Sequence, residues 1–579
     1  METVTYQALR RLAKQCTNAK KTAAVLGDCA TQQFAAALCG ESVRRGFPLH
    51  VFDADYDQME ALLLDPDSAL YRAKPDFILI FACTEKLRLR FFRTPPAERI
   101  TFAEHEADRF AALWEAAHRS CGAKLLMFDF PDAGDDVFGS FALRTPASFA
   151  YQQRQLNLLL GSRMASDYPY VYPVALSDVQ RELGREAFFD ERMWYLAKMP
   201  MTTAALPLAA ARVLDTVTAL AGIIKKCVIC DLDNTLWGGI IGDDGMNGIR
   251  LGDLGDGPAF AALQTWLLEL RRRGILLAVC SKNDEAVAKE PFEHHPEMVL
   301  RLEDIACFVA NWDNKADNIR RIRDTLGLGL DSFVFLDDNP FERGVVREML
   351  PDVTVPELPE DPAAVPGFLR GLHLFEAVSF SEEDAARTAQ YQAEASRTAA
   401  QARYTDFGDF LRDLGMQAEI LPFDAFHYPR IAQLTQRSNQ FNLRTVRYTE
   451  SEIAAIAQSP EYITRYMTLA DRFGEHGLIS LVILKKQEDA LFIDTWLMSY
   501  RVLRRGVEDC LFNEVVRIAR EAGFRRLIGE YIPTAKNKMV ADFYAGYGMR
   551  ETAPNRFELD TEAYQPREHL ITVLAAKKL

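Results

Sequence analysis

One stretch constrains this chain more than any other: CVICDLDNTLWGG at 227–239. An apolar run of strand length leads straight into Asp231 and Asp233. Residues two apart in a strand share a face, so both carboxylates point the same way. Two such charges repel, and one pKa rises unless a cation lies between them. Three later segments repeat the pattern of apolar run and polar end. ILLAVC (275–280) precedes Ser281-Lys282-Asn283, ACFVA (306–310) precedes Lys315, and SFVFL (332–336) precedes Asp337-Asp338. Helical stretches at 259–273 and 316–326 alternate with these runs. Short strands that are apolar throughout, separated by helices, predict a parallel sheet covered on both faces. Such a sheet gathers its strand ends on one edge.

That edge would hold a nucleophilic carboxylate, an acid/base carboxylate, a hydroxyl, a lysine and a distal acidic pair. Those groups suit magnesium-assisted phosphoryl transfer. The four segments, in this order, resemble the motifs of the haloacid-dehalogenase (HAD) superfamily. The resemblance implies that Asp231 attacks phosphorus, and that Asp233 protonates the leaving oxygen and later activates water. It implies that Ser281 and Lys315 hold the phosphoryl oxygens. Mg²⁺ would sit on Asp231, the carbonyl of Asp233, and Asp337 or Asp338. Asn234, Thr235, Trp237, Lys282 and Asn283 join the phosphate- or substrate-binding set. Trp237 is equally a substrate wall or core. The spacings from Asp231 to Ser281 and from Lys315 to Asp337 leave no room for a large cap domain. An uncapped site suits a bulky or macromolecular substrate, unless another domain serves as lid.

The wording of the motifs is more specific still. DLDNTLWGGIIGDDG (231–245), GILLAVCSKND (274–284), HPEMVLR (295–301), LGLDSFVFLDDNPFER (329–343) and LTQRSNQFNL (434–443) are similar to those of the FkbH-like family. The likeness runs from about residue 223 to the C-terminus, and the N-terminal region resembles the family's longer members. It implies a glyceryl transferase and phosphatase. Such an enzyme takes D-1,3-bisphosphoglycerate, releases phosphate, and loads a glyceryl group onto the phosphopantetheine thiol of an acyl carrier protein (ACP). An acyl relay through a thiolate would fall to Cys280, beside Ser281. Strand alternation argues against this by turning Cys280 away from Ser281. Cys230 is the weaker candidate, and direct transfer needs no cysteine at all.

Upstream, the runs at 22–28, 48–53, 76–83 and 123–130 predict another α/β layer, ending near residue 220. Its turn Gly27-Asp28-Cys29 resembles the Gly-Asp-Ser turn of SGNH hydrolases, with cysteine in the serine's place and no clear Asp-x-x-His partner. A tight strand-to-helix turn explains the same residues. Downstream, a Pro-rich stretch at 351–366 and a charged, Ala-rich segment at 381–403 read as connector and bridging helix. The last domain runs strand (490–499), turn (501–509), amphipathic helix, strand (525–532), helix. That order resembles the GNAT acyltransferase superfamily, whose Gly-rich turn binds a pyrophosphate at a helix start. Here the turn reads Arg501-Val-Leu-Arg504-Arg505-Gly506, with arginine where relatives have glycine. A single phosphodiester needs no full pyrophosphate loop. Arg501, Arg504, Arg505 and Gly506, with Asn537 and Tyr544, are therefore candidates for the carrier arm or CoA. A solvated basic turn is the alternative.

The expected architecture is multidomain α/β. It has an SGNH-like domain at 1–220, a HAD-like domain at 221–365, a linker and bridging helix at 366–403, and a GNAT-like domain at 404–579. The formal charge of −15 speaks against nucleic-acid binding. No apolar run reaches membrane-spanning length, and sparse cysteines suit a reducing cytoplasm. The expected partners are an ACP and a phosphoglycerate-type donor. The competing readings are a HAD phosphatase fused to an N- or O-acyltransferase in surface-polysaccharide or secondary-metabolite synthesis, and a carrier-docking scaffold with a vestigial site.

Overall fold

The structure is a computed structural model that describes residues 4–134, 137–253, 255–380, 388, 390–393, 397, 404, 406–437, 440–499, 502–534 and 536–574. It divides into two units, Met1–Ala221 and Gly222–Leu579. The first holds one parallel sheet of β1 (Lys21–Gly27), β2 (Leu49–Asp53), β3 (Phe77–Phe81), β4 (Lys124–Phe128) and β5 (Val171–Val174). Their order is β2-β1-β3-β4-β5. Every side chain of β3 is buried, as a strand covered on both faces requires. The fifth strand, VYPV, escapes sequence reading because it is short and its proline sits exposed at the third position.

The second unit opens with another parallel sheet: β6 (Cys227–Cys230), β7 (Leu276–Ser281), β8 (Ile305–Ala310) and β9 (Phe333–Leu336). The order is β8-β7-β6-β9, so the strand carrying the paired aspartates lies inside the sheet. Val228, Cys230, Leu277 and Val279 pack on one face. Cys227, Ile229, Leu276, Ala278 and Cys280 pack on the other, with Ala316, Ile319 and Ile322 of the helix Lys315–Leu326. Alternation along β6 and β7 thus builds two apolar layers and leaves the strand ends for chemistry. The helix Val365–Gly371 sends Val365 and Leu369 into the first of these layers, with Phe375 beyond it. Residues 366–375 therefore belong to this core rather than to a linker. Most of the expected bridging helix lies outside the described residues.

The last part is a mixed sheet ordered β15-β16-β14-β13-β12-β11-β10-β17. Its strands are β10 (Gln417–Leu421), β11 (Tyr462–Asp471), β12 (Gly474–Lys486), β13 (Ala490–Met498), β14 (Arg526–Glu530), β15 (Arg550–Ala553), β16 (Arg556–Asp560) and β17 (Thr572–Val573). β10 to β13 run antiparallel in series. β14 then joins β13 in parallel at Ala490–Phe492 alone. Past that point the two strands diverge. The amphipathic helix Val507–Glu521 packs Leu511, Val515 and Ile518 into the core beneath them. The fold class is the expected α/β one: parallel-sheet domains followed by a mixed sheet. No helix among the described residues is long and apolar enough to cross a membrane.

Candidate active site

The ends of β6, β7 and β9 bring the carboxylates, hydroxyl and lysine together. Lys315 begins its helix just after Asn314, whose side chain caps it. Its ammonium lies 3.0 Å from Asp231 and 2.5 Å from Asp337. All three are almost wholly buried. Burial would lower the lysine's pKa, but the two carboxylates outweigh it and hold the ammonium well above its ordinary value. Burial pushes Asp231 upward against the pull of Lys315, and the nearby Asp337 charge adds to the push. Burial raises Asp337 as well. One cation thus serves two buried acids, and a carboxylate oxygen of each of Asp231, Asp337 and Asp338 lies within 4.8 Å of the others. Oδ1 of Asp231 is buried with no hydrogen-bond partner among the described residues. An orphaned anionic oxygen facing an acidic pair is a donor set for a hard divalent cation.

Asp233 is held differently. Its Oδ1 accepts the Trp237 indole N–H at 2.9 Å and the Ile241 backbone N–H at 3.0 Å. Its Oδ2 accepts from Asn283 at 2.7 Å. Asn283 also reaches the Ser281 hydroxyl at 3.4 Å. Thr235 accepts the backbone N–H of Asp338 at 3.1 Å and donates to its carboxylate at 3.3 Å. Asn234 adopts φ +53° and accepts the Gly239 N–H at 2.9 Å, closing the turn after the aspartates. Asparagine tolerates that left-handed backbone better than most residues.

Several sequence expectations change here. Trp237 is fully buried against Phe292, so it orients Asp233 and forms no substrate wall. Lys282, expected in the substrate-binding set, is ion-paired with Glu342 at 2.5 Å and remains partly exposed. Cys280 is wholly buried on the apolar face shared with the 315–326 helix. Its thiol points at the Lys315 carbonyl, 3.8 Å away. Burial drives its pKa far up, and the thiolate that a relay needs is disfavoured. Cys230 is buried in the opposite layer with its pKa likewise raised.

Two supporting residues were not singled out from sequence. Arg343 is buried and donates to the carbonyls of Asp337 and Asp338 at 2.8 and 2.7 Å. Gln264 is fully buried. It donates to the Leu236 carbonyl at 2.8 Å and accepts from Val299 and Leu300 at 2.9 and 3.1 Å. The signal was present: Arg343 ends the LDDNPFER string, and a lone glutamine interrupts an apolar helix.

In the last domain the expected arm-binding residues are spread between a turn, a helix start and the interior. Arg501 lies outside the described residues, as do Ser438 and Asn439 of the LTQRSNQFNL string. Arg504 is exposed at φ +62°, a backbone that favours the glycine expected there. Its N–H goes to Glu508 at 3.0 Å. Arg505 is buried. Gly506, at φ +83°, starts the 507–521 helix. Asn537 is fully buried. It donates to the Asn442 and Ile532 carbonyls, both at 2.9 Å, and accepts the Thr534 N–H at 2.7 Å. The Tyr544 ring sits so close to Gly529 that a Cβ there would fall 2.4 Å away. Both side chains are internal.

Fold and site together define a multidomain α/β protein with a HAD-like carboxylate edge. Residues 22–218 match the family described as FkbH, N-terminal domain. The crystal structure of the N-terminal part of a Bacteroides fragilis protein, containing a phosphatase domain complexed with Mg, is 42% identical with a TM-score of 0.62. The match covers 65% of this chain and 100% of that one. The ribosomal-protein-S18-alanine N-acetyltransferase of Escherichia coli overlaps 28% of this chain and 99% of its own, at 15% identity and TM-score 0.20. The GNAT domain of S. lividans PAT overlaps 24% of this chain and 89% of its own, at 21% identity and TM-score 0.19. No curated protein matches. The chain belongs to the FkbH-like family.

Proposed function

We propose that the chain is a Mg²⁺-dependent phosphatase and acyl transferase. It takes a phosphoglycerate-type acyl phosphate, of which D-1,3-bisphosphoglycerate is the specific case. It releases phosphate and passes the glyceryl group to the phosphopantetheine thiol of an ACP in the cytoplasm. The observation that carries the phosphatase part is the Lys315 bridge between Asp231 and Asp337, with Asp231 Oδ1 left unpartnered. The Mg-bound, 42%-identical phosphatase-domain structure supports the same reading.

Asp231, Asp337 and Asp338 would hold the ion, with the Asp233 carbonyl as a further ligand. When bound, Mg²⁺ neutralises the carboxylates and the phosphoryl oxygens they face. The chain's own groups do the rest. A carboxylate oxygen of Asp231 forms a bond to phosphorus, and the ester oxygen leaves with the bonding electrons and takes a proton from Asp233. Asn283, Trp237 and Ile241 fix the angle of that carboxyl. Asp233 then takes a proton from the water that cleaves the aspartyl phosphate to inorganic phosphate. Lys315 and the Ser281 hydroxyl face the transferring oxygens. At the acyl end, the thiol sulfur bonds to the acyl carbon, the C–O bond to phosphate breaks, and phosphate leaves with that electron pair. The thiol proton passes to solvent. With the two candidate relays Cys230 and Cys280 both buried, the acyl group goes straight to the acceptor.

The test is phosphate release and ACP mass, followed together with Mg²⁺, a 1,3-bisphosphoglycerate-generating mixture and holo-ACP. A glyceryl increment on ACP with phosphate release is expected. Phosphate release without an increment would leave a phosphatase with a GNAT-like domain of other specificity.

A further inference from the structure

The sheet of the last domain has a natural opening of the kind that could receive a carrier arm. Where β13 and β14 diverge, the edge groups of Trp496–Met498 need hydrogen-bond partners. The chain fills that gap itself. Leu443 N–H donates to the Trp496 carbonyl at 3.2 Å, and Met498 N–H donates to the Phe441 carbonyl at 3.1 Å. On the other side, Ile532 N–H donates to the Leu443 carbonyl at 2.8 Å, and Asn537 holds the Asn442 carbonyl. Phe441, Asn442 and Leu443 are buried. Arg444 then clamps the exit, at 2.8 Å from Glu530 and 2.9 Å from Asp494. An extended arm lying between these strands would need the same backbone groups.

A second opening lies on the phosphatase sheet. A cavity of about 500 Å³ is lined by Asn234, Thr235 and Asp338 at the catalytic edge and by Phe260, Leu263 and Leu358 on its apolar side. A three-carbon acid would fill a small part of it, whereas volumes of this order suit an extended ligand with mixed polarity. Arg250 stands in the lining. It is pinned by backbone bonds to Gly238 at 2.7 and 3.0 Å. Its guanidinium lies so close to that glycine that a Cβ there would meet it at 2.8 Å. It remains half exposed, with a long 4.0 Å ion pair to Asp256. The same edge carries exposed apolar side chains: Ile240 after the paired aspartates, Trp312 before Lys315, and Phe341 after Asp338. An apolar rim around a phosphoryl site suits a macromolecular partner better than a small diffusing anion.

We infer that the acceptor's phosphopantetheine arm enters the cavity beside Asp338 on the phosphatase sheet, with Arg250 meeting its phosphodiester and Phe341 meeting the carrier protein. This rests on the acyl-transfer reading above for the identity of the acceptor. The amides and dimethyl group of such an arm match a wall of Asn234, Thr235, Phe260, Leu263 and Leu358. Its thiol end would then reach the edge where the acyl phosphate is held.

The experiment is calorimetric titration of the full chain, with Mg²⁺, using 4′-phosphopantetheine as probe. Wild type should bind it. Arg250→Glu reverses the cation and Ala259→Trp fills the cavity, so each should weaken binding at least tenfold. Arg504→Glu in the last domain should leave it within twofold. Circular dichroism checks that each variant is folded, and Arg250→Glu, on a half-exposed side chain, keeps the test open should the tryptophan disrupt packing. Absence of binding by wild type, or loss in Arg504→Glu with both cavity variants unaffected, overturns the inference. Cavity-dependent binding without glyceryl transfer to holo-ACP would instead overturn the acyl-transfer reading and leave the site standing.

Discussion

Two sheets in this chain end their leading strands on an aspartate, and only one of them is surrounded by phosphoryl-transfer groups. Asp28 follows β1 as Asp231 follows β6, and burial is the main force raising both pKa values. Around Asp231 the neighbouring strands deliver Lys315, Ser281 and a second acidic pair. Around Asp28 they deliver the Cys83 backbone N–H at 2.9 Å and two buried thiols, Cys29 and Cys83. Among the described residues no lysine or arginine is ion-paired with Asp28. Glu85 stands close by with its pKa raised to about 7, chiefly by burial. The lesson is that a parallel sheet offers an acid at its edge cheaply, while the chemistry depends on what the next strands bring to it. Cys29, where an SGNH hydrolase has serine, is fully buried and its pKa is pushed up by burial.

The comparison breaks most visibly at Asp231. Asp231→Asn should cut phosphate release by roughly 10³-fold or more while circular dichroism stays unchanged. Near-normal turnover would remove Asp231 as the nucleophile. Next is Lys315→Met, which leaves two buried carboxylates without their shared cation. A stability loss of about 3–5 kcal/mol in urea unfolding is expected, with phosphate release falling about 100-fold. A stable, active variant would mean that the two acids are neutralised some other way.

On the other sheet the expected effect is smaller and depends on pH. Burial holds Asp28 at about 6 against an ordinary 3.8, so the folded unit binds that proton more tightly than the unfolded chain. This contribution is complete below about pH 4 and lost as pH rises through about 6. Asp28→Asn should therefore gain stability relative to wild type between pH 4 and pH 8, by up to about 3 kcal/mol, with phosphate release untouched. A pH-independent difference would show that Asp28 is not buried as an acid. The smallest effect is expected for Cys280→Ala, at about 1 kcal/mol of lost packing, with ACP loading at the wild-type rate. Abolished loading would restore the covalent relay.

Much of the middle domain was legible because strand ends are local features. Asp231, Ser281 and Asp337 each follow an apolar run, and such runs can be read without knowing their neighbours. The turn at Arg504 was legible in part, since arginine in a glycine-like position is a local departure. The roles of Trp237, Cys280, Asn537 and Tyr544 were not legible, because each depends on a neighbour distant in sequence. Strand alternation argued for turning Cys280 away from Ser281, but only the packed helix at 315–326 shows what fills that side.

The sequence by itself determined the alternation of strand and helix, the carboxyl edge and its inventory of acids, and the family to which the chain belongs. These follow from periodicity and from residue types at strand ends, which act over a few positions. Tertiary structure alone decided that one lysine serves two acids, that Arg343 holds the acidic turn by its carbonyls, and that Phe441–Leu443 closes the last domain's sheet. Each of those is a hydrogen bond or ion pair between segments far apart in the chain. Each is imposed by the need to satisfy buried polar groups once the apolar layers have packed.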